Sequence, residues 1–117
     1  MESELIIKDS FVYDEFSDRL LISNLKNKDQ VIGSVSVLNL TIDFTKESRI
    51  ANIEIKHVSD YLKSIDIDSS ILKNLDEAKI SLKQLRNGYV IYFLLKHGGM
   101  IERIPYNVQT QNAISLV

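Results

Sequence analysis

Apolar and polar residues alternate with a period of two in several parts of the 117-residue chain. The segments ANIEIK (51–56) and AKISLKQ (78–84) show this alternation most clearly. Successive side chains of a β-strand point to opposite faces, so the alternation predicts strands with one buried and one solvated face. The unbroken apolar run YVIYFLL (89–95) is rich in β-branched and aromatic residues. It predicts a central strand that is covered on both faces.

Turn-forming residues divide these patterns into hairpins. The segment DEFSDR (14–19) joins two strand-like runs, and its aspartates and serine can bond nearby backbone groups in a tight turn. Three further turns are predicted at TKESR (45–49), RNG (86–88) and KHGG (96–99). The polar segment NLKNKDQ (24–30) is typical of a loop.

Two positions qualify the strand pattern. In SVSVLNLTIDF (34–44) the apolar positions change parity between Val37 and Leu38, which predicts a bulge or bend within one strand. In MIERIPY (100–106), Pro105 cannot donate a backbone hydrogen bond, so we expect it at a strand end or on a sheet edge. The residues that follow this segment give no assignment.

Helical spacing occurs between the two groups of strands. The apolar residues of HVSDYLKSI (57–65) lie at helical intervals, with Ser59 as the expected N-cap. DSSILKNLDEA (68–78) predicts a second short helix, capped by Asp68 or Ser69. We therefore predict a single domain over residues 1–117 of mainly β (α+β) class. It would be an antiparallel meander of six to seven strands, with one or two short helices covering one face or one end.

Composition excludes several classes of function. Fourteen basic and sixteen acidic residues give a net charge of −2, which argues against nucleic-acid and anionic-membrane partners because both favour basic surfaces. The absence of cysteine excludes disulfides, thiolate catalysis and cysteine-based zinc sites. The first residues do not form a signal peptide, and no apolar run approaches the ~20 residues that span a bilayer. We expect a cytoplasmic protein without a membrane partner.

An acidic cluster is the first candidate site. Asp14, Glu15 and Asp18 could supply oxygen ligands to Mg²⁺ or Ca²⁺, and Asp43 could join the two aspartates. The spacing lacks the repeated D-x-D pattern and the glycine of a calcium loop, so we predict no metal or other cofactor. The favoured interpretation is a hairpin turn. In it, both Asp14 and Asp18 accept hydrogen bonds from backbone amides, Asp14 from those at or near Phe16 and Ser17, and Phe16 lies against the sheet.

The remaining candidate sites have weaker patterns. A zinc site would need both histidines, His57 and His97, with carboxylates such as Asp60 or Glu102, and no metal-binding spacing joins them. The glycines of KHGGM (96–100) are not followed by the lysine and hydroxyl residue of a phosphate loop, so a hairpin turn is favoured. No G-x-S-x-G elbow is present.

Two groups of residues could contact nucleic acid. Arg86, Tyr89 and Tyr92 could stack on bases, and the lysines at 26, 28, 46 and 56 could contact phosphates. A core strand beside a charged turn explains the first group equally well. The net negative charge argues against both, so we expect no nucleic-acid partner.

Two motifs carry a family resemblance. The segment 13–22 follows the pattern Tyr-Asp-x-x-x-Asp-x-Leu-x-Ile, although its penultimate residue is leucine instead of an aromatic residue. An apolar strand ending near Asp43 is followed by Asn-Ile-Glu-Ile in place of Gly-Ile-Glu-Ile and by a helix that starts near Ser59. Over residues 11–65 the chain resembles a small family of uncharacterised prokaryotic domains. The residues shared with the family are Tyr13, Asp14, Asp18, Asp43 and Glu54.

The resemblance implies hairpins over residues 11–65 and, by analogy, an antitoxin-like, partner-binding role. Residues 66–117 lie outside the resemblance, and their own pattern predicts a second β segment. The sequence contains no nucleophile, metal or cofactor motif, so we predict a non-enzymatic interaction domain. It would self-associate as a homodimer or bind a protein partner. The alternative is a small metal- or ligand-binding enzyme that uses Asp14, Asp18 and Asp43.

Overall fold

The alternating segments form nine strands in the computed structural model, which describes residues 5–8, 10–23, 30–45 and 49–109. The strands of the first sheet are β1 (Leu5–Ile7), β2 (Phe11–Asp14), β3 (Arg19–Ser23), β4 (Val31–Val37), β5 (Leu40–Thr45) and β6 (Ile50–Lys56). The strands of the second sheet are β7 (Leu75–Leu85), β8 (Gly88–His97) and β9 (Met100–Gln109). Between the two groups lie helix α1 (Val58–Ser64) and a 3₁₀ helix (Ser69–Asn74).

All strand pairs in the two sheets are antiparallel. The six-stranded sheet has the order β1-β2-β3-β6-β5-β4, and the three-stranded sheet has the order β7-β8-β9. The predicted mainly β (α+β) class with one or two short helices is confirmed. The described strands exceed the predicted six to seven because β1 was not anticipated and one predicted strand divides into β4 and β5.

The division between β4 and β5 corrects the predicted bulge at residues 37 and 38. Val37 pairs with Leu40, so Leu38 and Asn39 form a two-residue hairpin turn. Paired residues in such a hairpin lie on the same face of the sheet although their numbers differ by three, which produces the change of parity. The irregularities of pairing lie elsewhere, between Val31 and Gly33 and between Asp43 and Phe44.

Helix α1 begins at Val58, one residue before Ser59, which was the predicted N-cap. Its N-cap is His57, in a left-handed conformation with φ 55° and no side-chain capping bond, so Ser59 lies inside the helix. The second helix is 3₁₀ rather than α, and Asp68 caps it by accepting a hydrogen bond from the Ser70 amide at 2.9 Å. The segment 75–78, predicted as part of this helix, belongs to β7.

The central position of β8 is confirmed, but its coverage is not complete. Ile91, Phe93 and Leu95 are buried, whereas Tyr92 and Leu94 on the other face are only partly buried. Pro105 lies in β9, an edge strand, as predicted. Three parts of the chain lie outside the described residues: 24–29 of the predicted loop, 46–48 of the predicted turn, and the residues after 109.

The inner faces of both sheets and the two helices share one hydrophobic core. Leu20, Ile53 and Leu40 represent the first sheet in it, and Ile91 and Ile104 the second. Helix α1 contributes two buried side chains, Val58 and Leu62, and the 3₁₀ helix contributes Ile71 and Leu72. The sheet faces directed away from this core carry the side chains considered below.

Candidate functional site

The turn between β2 and β3, hereafter the acidic turn (residues 14–18), is fixed by Asp14. One carboxylate oxygen of Asp14 accepts a hydrogen bond from the Phe16 amide at 3.0 Å, and the other accepts from the Ser17 hydroxyl at 2.9 Å. The predicted role of Asp14 in the turn is confirmed, with the Ser17 side chain rather than its amide as the second donor. The predicted position of Phe16 is wrong. Phe16 is 85% exposed, because it lies beyond the last strand pair, Asp14–Arg19, where no sheet surface lies beneath it.

Asp18 connects the acidic turn to helix α1. Its carboxylate accepts hydrogen bonds from the Ser59 amide at 3.1 Å and from the Ser59 hydroxyl at 2.7 Å. Its backbone carbonyl accepts from the Val58 amide at 3.2 Å. Amides in the first turn of a helix have no partner within the helix, so Asp18 acts as a cap supplied by a distant part of the chain. A carboxylate there also interacts favourably with the positive end of the helix dipole.

Asp43 lies away from the other two candidate residues. It accepts a hydrogen bond from the Ser34 hydroxyl at 2.5 Å and one from the Asn52 side-chain amide at 3.2 Å, across β4, β5 and β6. Asn52 pairs with Ser23, whereas Arg19, next to Asp18, pairs with Lys56. These two rows are four residues apart, or about 13 Å along the strand. The structure therefore does not bring Asp14, Asp18 and Asp43 to one site.

A cleft of about 420 Å³ opens between the acidic turn, α1 and the 3₁₀ helix. Glu15 and Lys73 form an ion pair of 2.6 Å across it. Burial, followed by the negative charges of Asp18 and Glu15, raises the pKa of Tyr13 to about 12, so this phenol remains protonated at neutral pH. The lining residues are Tyr13, Glu15, Asp18, Ser59, Lys63, Asp68, Ser69, Ser70 and Lys73.

Asp18, His57 and Asp60 each place one potential metal-ligand atom within 4.8 Å of the others. The N-terminus of α1 carries partial positive charge, which disfavours a cation. Because Asp18 already accepts the Ser59 hydrogen bonds, we interpret the group as a helix cap with exposed neighbours.

The second histidine lies elsewhere. His97, at the end of β8, places its Nε2 atom 3.7 Å from a carboxylate oxygen of Glu102 on β9. Among the described residues, the two histidines do not share a group of potential metal ligands. The adjacent glycines, Gly98 and Gly99, form the β8–β9 turn with φ of 53° and 79°, as the hairpin interpretation of KHGG predicts.

Strand β4 is an edge of the six-stranded sheet, and no strand in the described part of the chain pairs with its outer side. Its sequence, VIGSVSV, has no charged residue and no proline. Ile32 is 64% exposed, and Val31 is exposed as well. Edge strands of natural proteins are commonly protected by charges, proline, bulges or short length. Here an irregularity at residues 31–33 affects one end and leaves Gly33–Val37 in regular pairing with β5.

The opposite edge of this sheet is better protected. Strand β1 has only three residues and is followed directly by Lys8. At the end of β4, Leu38 is 82% exposed and has a φ of 53°, an uncommon combination for a leucine. The open edge of β4 together with Leu38 is therefore the most unusual surface of the first sheet. Sequence reasoning missed it because segment 34–44 was read as one strand; the change of parity was the available signal.

Comparison with protein-family models, with curated proteins and with solved structures gives no match for this chain. Neither of the described helices is long and apolar enough to cross a membrane. Functional inference therefore rests on the geometry of the chain itself.

Proposed function

We propose that this protein is a small, non-enzymatic interaction domain that self-associates through strand β4. The observation that carries this proposal is the uncharged, proline-free edge of β4, which no strand of the described residues covers. Backbone amides and carbonyls on an open edge are satisfied when another strand adds to the sheet. A second copy of the same edge is the simplest such strand.

Pairing of two β4 strands about a two-fold axis at Ser34 continues both faces of the sheet across the interface. In antiparallel pairing about this point, residues of equal parity meet, so Ser36 lies opposite Ile32 and Val35 opposite Gly33. Val35 and Val37 follow the core-facing row of β5, and Ser34 and Ser36 follow its polar row. An isologous contact of this kind closes as a dimer, whereas heterologous pairing of β4 with β1 would produce a ring or an open filament.

The alternative, an enzyme or metal-binding protein that uses Asp14, Asp18 and Asp43, has less support. Each of these carboxylates accepts hydrogen bonds that fix a turn, a helix start or a strand pair. Residues with such roles would be shared among proteins of one fold. This agrees with the family resemblance proposed for residues 11–65. By analogy with antitoxin-like proteins, that resemblance suggests a cytoplasmic, partner-binding role.

Sedimentation velocity over a range of concentrations tests the proposal. We expect a species of twice the 13.4-kDa chain mass that dissociates on dilution. The double substitution Ile32→Lys with Ser36→Lys would place lysines opposite lysines at two points of the interface. Like charges directly opposite each other across a strand pair are destabilising. We therefore expect the dissociation constant of the dimer to increase at least about tenfold.

A matched control places the same charges on the other edge. Leu5→Lys with Ile7→Lys adds two lysines to β1, where both native side chains are exposed, and should leave the dimer unchanged. Circular dichroism would verify that both variants remain folded. A monomer at every concentration would contradict the proposal, and so would a dimer that is disrupted by the β1 lysines but not by the β4 lysines.

A further inference from the structure

The outer face of the three-stranded sheet concentrates positive charge. The pairs Ala78–Leu95 and Ile80–Phe93 alternate with pairs whose side chains point away from the core. The charged members of this outer face, hereafter the basic face, are Lys79, Lys83, Lys96, Arg103 and Glu77. Four cations and one carboxylate give a local charge of +3, whereas the whole chain carries −2.

Most of these cations have no acidic partner among the residues that the structure describes. Lys79 has an ion-pair partner, Glu77, at 3.1 Å, and both side chains are well exposed. Within the described ranges, Lys83, Lys96 and Arg103 form no ion pair. Like charges gathered on one surface are unfavourable unless something of opposite charge offsets them. This surface therefore has the electrostatic character of a binding site for a polyanion.

An aromatic residue lies at the centre of the basic face. Tyr92 pairs with Ser81 on one side and Pro105 on the other, midway between the row of Lys79 and the row of Lys83. The guanidinium of Arg103 lies 4.0 Å from the centre of the Tyr92 ring. The two lysines are four residues apart, or about 13 Å along the strand. A cation–π pair of Arg103 and Tyr92 thus lies between cations on both sides.

We propose that the basic face binds single-stranded nucleic acid. Bases would stack on the Tyr92–Arg103 pair, and phosphates would contact Lys79, Lys83 and Lys96. Unpaired bases stack on aromatic rings and on arginine guanidinium planes, and an open sheet surface leaves room for them. An acidic peptide would use the cations but not the planar pair, and a duplex does not expose its base faces.

The sequence expectation of no nucleic-acid partner relied on net charge, which averages over surfaces that the fold separates. The group Arg86, Tyr89 and Tyr92 is not formed as a unit. Tyr89 is 4% exposed on the inner face, whereas Tyr92 lies on the outer face beside Arg103. Of the four lysines considered in the sequence, Lys56 ends β6 in the other sheet, and those at 26, 28 and 46 lie outside the described residues.

Fluorescence anisotropy with labelled oligothymidylate and oligouridylate, titrated with the intact chain, tests the proposal. We expect binding at low salt that weakens steeply between about 50 and 200 mM salt, because phosphate contacts release counterions. The triple substitution Lys79→Gln, Lys83→Gln, Lys96→Gln should reduce both affinity and salt dependence. The control triple Lys8→Gln, Lys56→Gln, Lys63→Gln removes the same charge from other elements and should change affinity less than about twofold.

Substitution at Tyr92 separates stacking from charge. Tyr92→Leu should weaken binding about tenfold at constant salt, since base–aromatic stacking contributes on this scale, whereas Tyr92→Phe should retain affinity. The proposal is overturned if neither oligonucleotide binds at low salt, or if duplex of equal length binds as tightly. It is also overturned if only a polyglutamate peptide or phosphatidylserine vesicles bind the face. None of these outcomes depends on dimerisation through β4.

Discussion

The carboxylate of Asp18 joins two elements that lie 41 positions apart in the chain. It accepts the amide and the hydroxyl of Ser59, while its own backbone has a φ of 53°. Aspartate tolerates this left-handed conformation better than most residues. Asp18 thus serves the acidic turn through its backbone and the start of α1 through its side chain.

Substitutions at Asp18 should separate these two contributions. Asp18→Gly removes the cap but accommodates the positive φ, and we expect a loss of about 1 to 2 kcal/mol in the free energy of unfolding. Asp18→Ala should lose roughly 1 kcal/mol more because alanine is strained at this φ. Asp18→Asn keeps one acceptor and tolerates the positive φ, so its free energy of unfolding should decrease least. Urea denaturation measures all three, and a glycine variant as stable as the parent would contradict the capping role.

The separation of two residues along the chain decides whether their contact can be predicted from the sequence. The bond between Asp14 and the Phe16 amide spans two residues, so turn chemistry alone predicts it. The bonds from Ser59 to Asp18 depend on how β3 pairs with β6, which no local pattern specifies. Ser59 was accordingly predicted to be the cap, whereas it is the residue that donates to the cap.

At the scale of elements, the periodic pattern identified most strands, and the boundary between β4 and β5 was the main error. Hairpin turns with two residues usually contain glycine or asparagine where φ is positive. Here Leu38 occupies the position with φ 53°, and Asn39 follows it. A leucine gives no turn signal, so the two strands were read as one. The glycine-containing segments 86–88 and 96–99 predict turns, and the structure has them at residues 86–87 and 98–99.

Leu38 provides a prediction for the β4–β5 hairpin. A left-handed leucine costs about 1 to 2 kcal/mol, and because this side chain is exposed, replacing it removes little packing. We expect Leu38→Asn to raise the free energy of unfolding by roughly 0.5 to 1 kcal/mol, measured on the dissociated monomer. Leu38→Ala is the matched control, because it removes the apolar side chain and keeps the strain. An equal increase in the free energy of unfolding of both variants would show that removal of the exposed apolar side chain, not relief of backbone strain, is responsible.

At the scale of the whole molecule, tyrosines connect the layers around the shared core. Tyr106 of β9 donates to the side-chain oxygen of Asn39, and Asn39 in turn donates to the Lys56 carbonyl at 2.8 Å. Tyr61 of α1 donates to the Pro105 carbonyl at 2.8 Å, and its ring centre lies 5.1 Å from that of Tyr106. These contacts join the β4–β5 turn, α1 and the second sheet.

The connecting phenols make stability depend on pH in the alkaline range. Burial raises the pKa values of both Tyr61 and Tyr106, and a hydrogen bond to the backbone of Asn39 opposes the rise in the pKa of Tyr106. The largest effect is at Tyr13, where burial and the charges of Asp18 and Glu15 raise the pKa from 10.0 to about 12. A group with a raised pKa in the folded state retains its proton where the unfolded chain has released it. The free energy of unfolding therefore decreases as pH rises through that interval.

We expect stability to be nearly constant from neutral pH to the unfolded pKa of 10.0 and then to decrease towards pH 12. The contribution of Tyr13 is at most on the order of 2 to 3 kcal/mol. Tyr13→Phe has no phenolic proton, so its stability should decrease less over the same interval, with the remaining decrease due to Tyr61 and Tyr106. Urea denaturation at neutral pH and at several alkaline values measures the difference, and the neutral measurement corrects for any change in packing. Equal alkaline decreases in the parent and in Tyr13→Phe would mean that Tyr13 ionises in the folded state as readily as in the unfolded chain. In that case neither burial of the ring, nor the charges of the acidic turn, nor the hydrogen bond to Asp18 would raise the pKa of its phenol, because these are the causes of the shift.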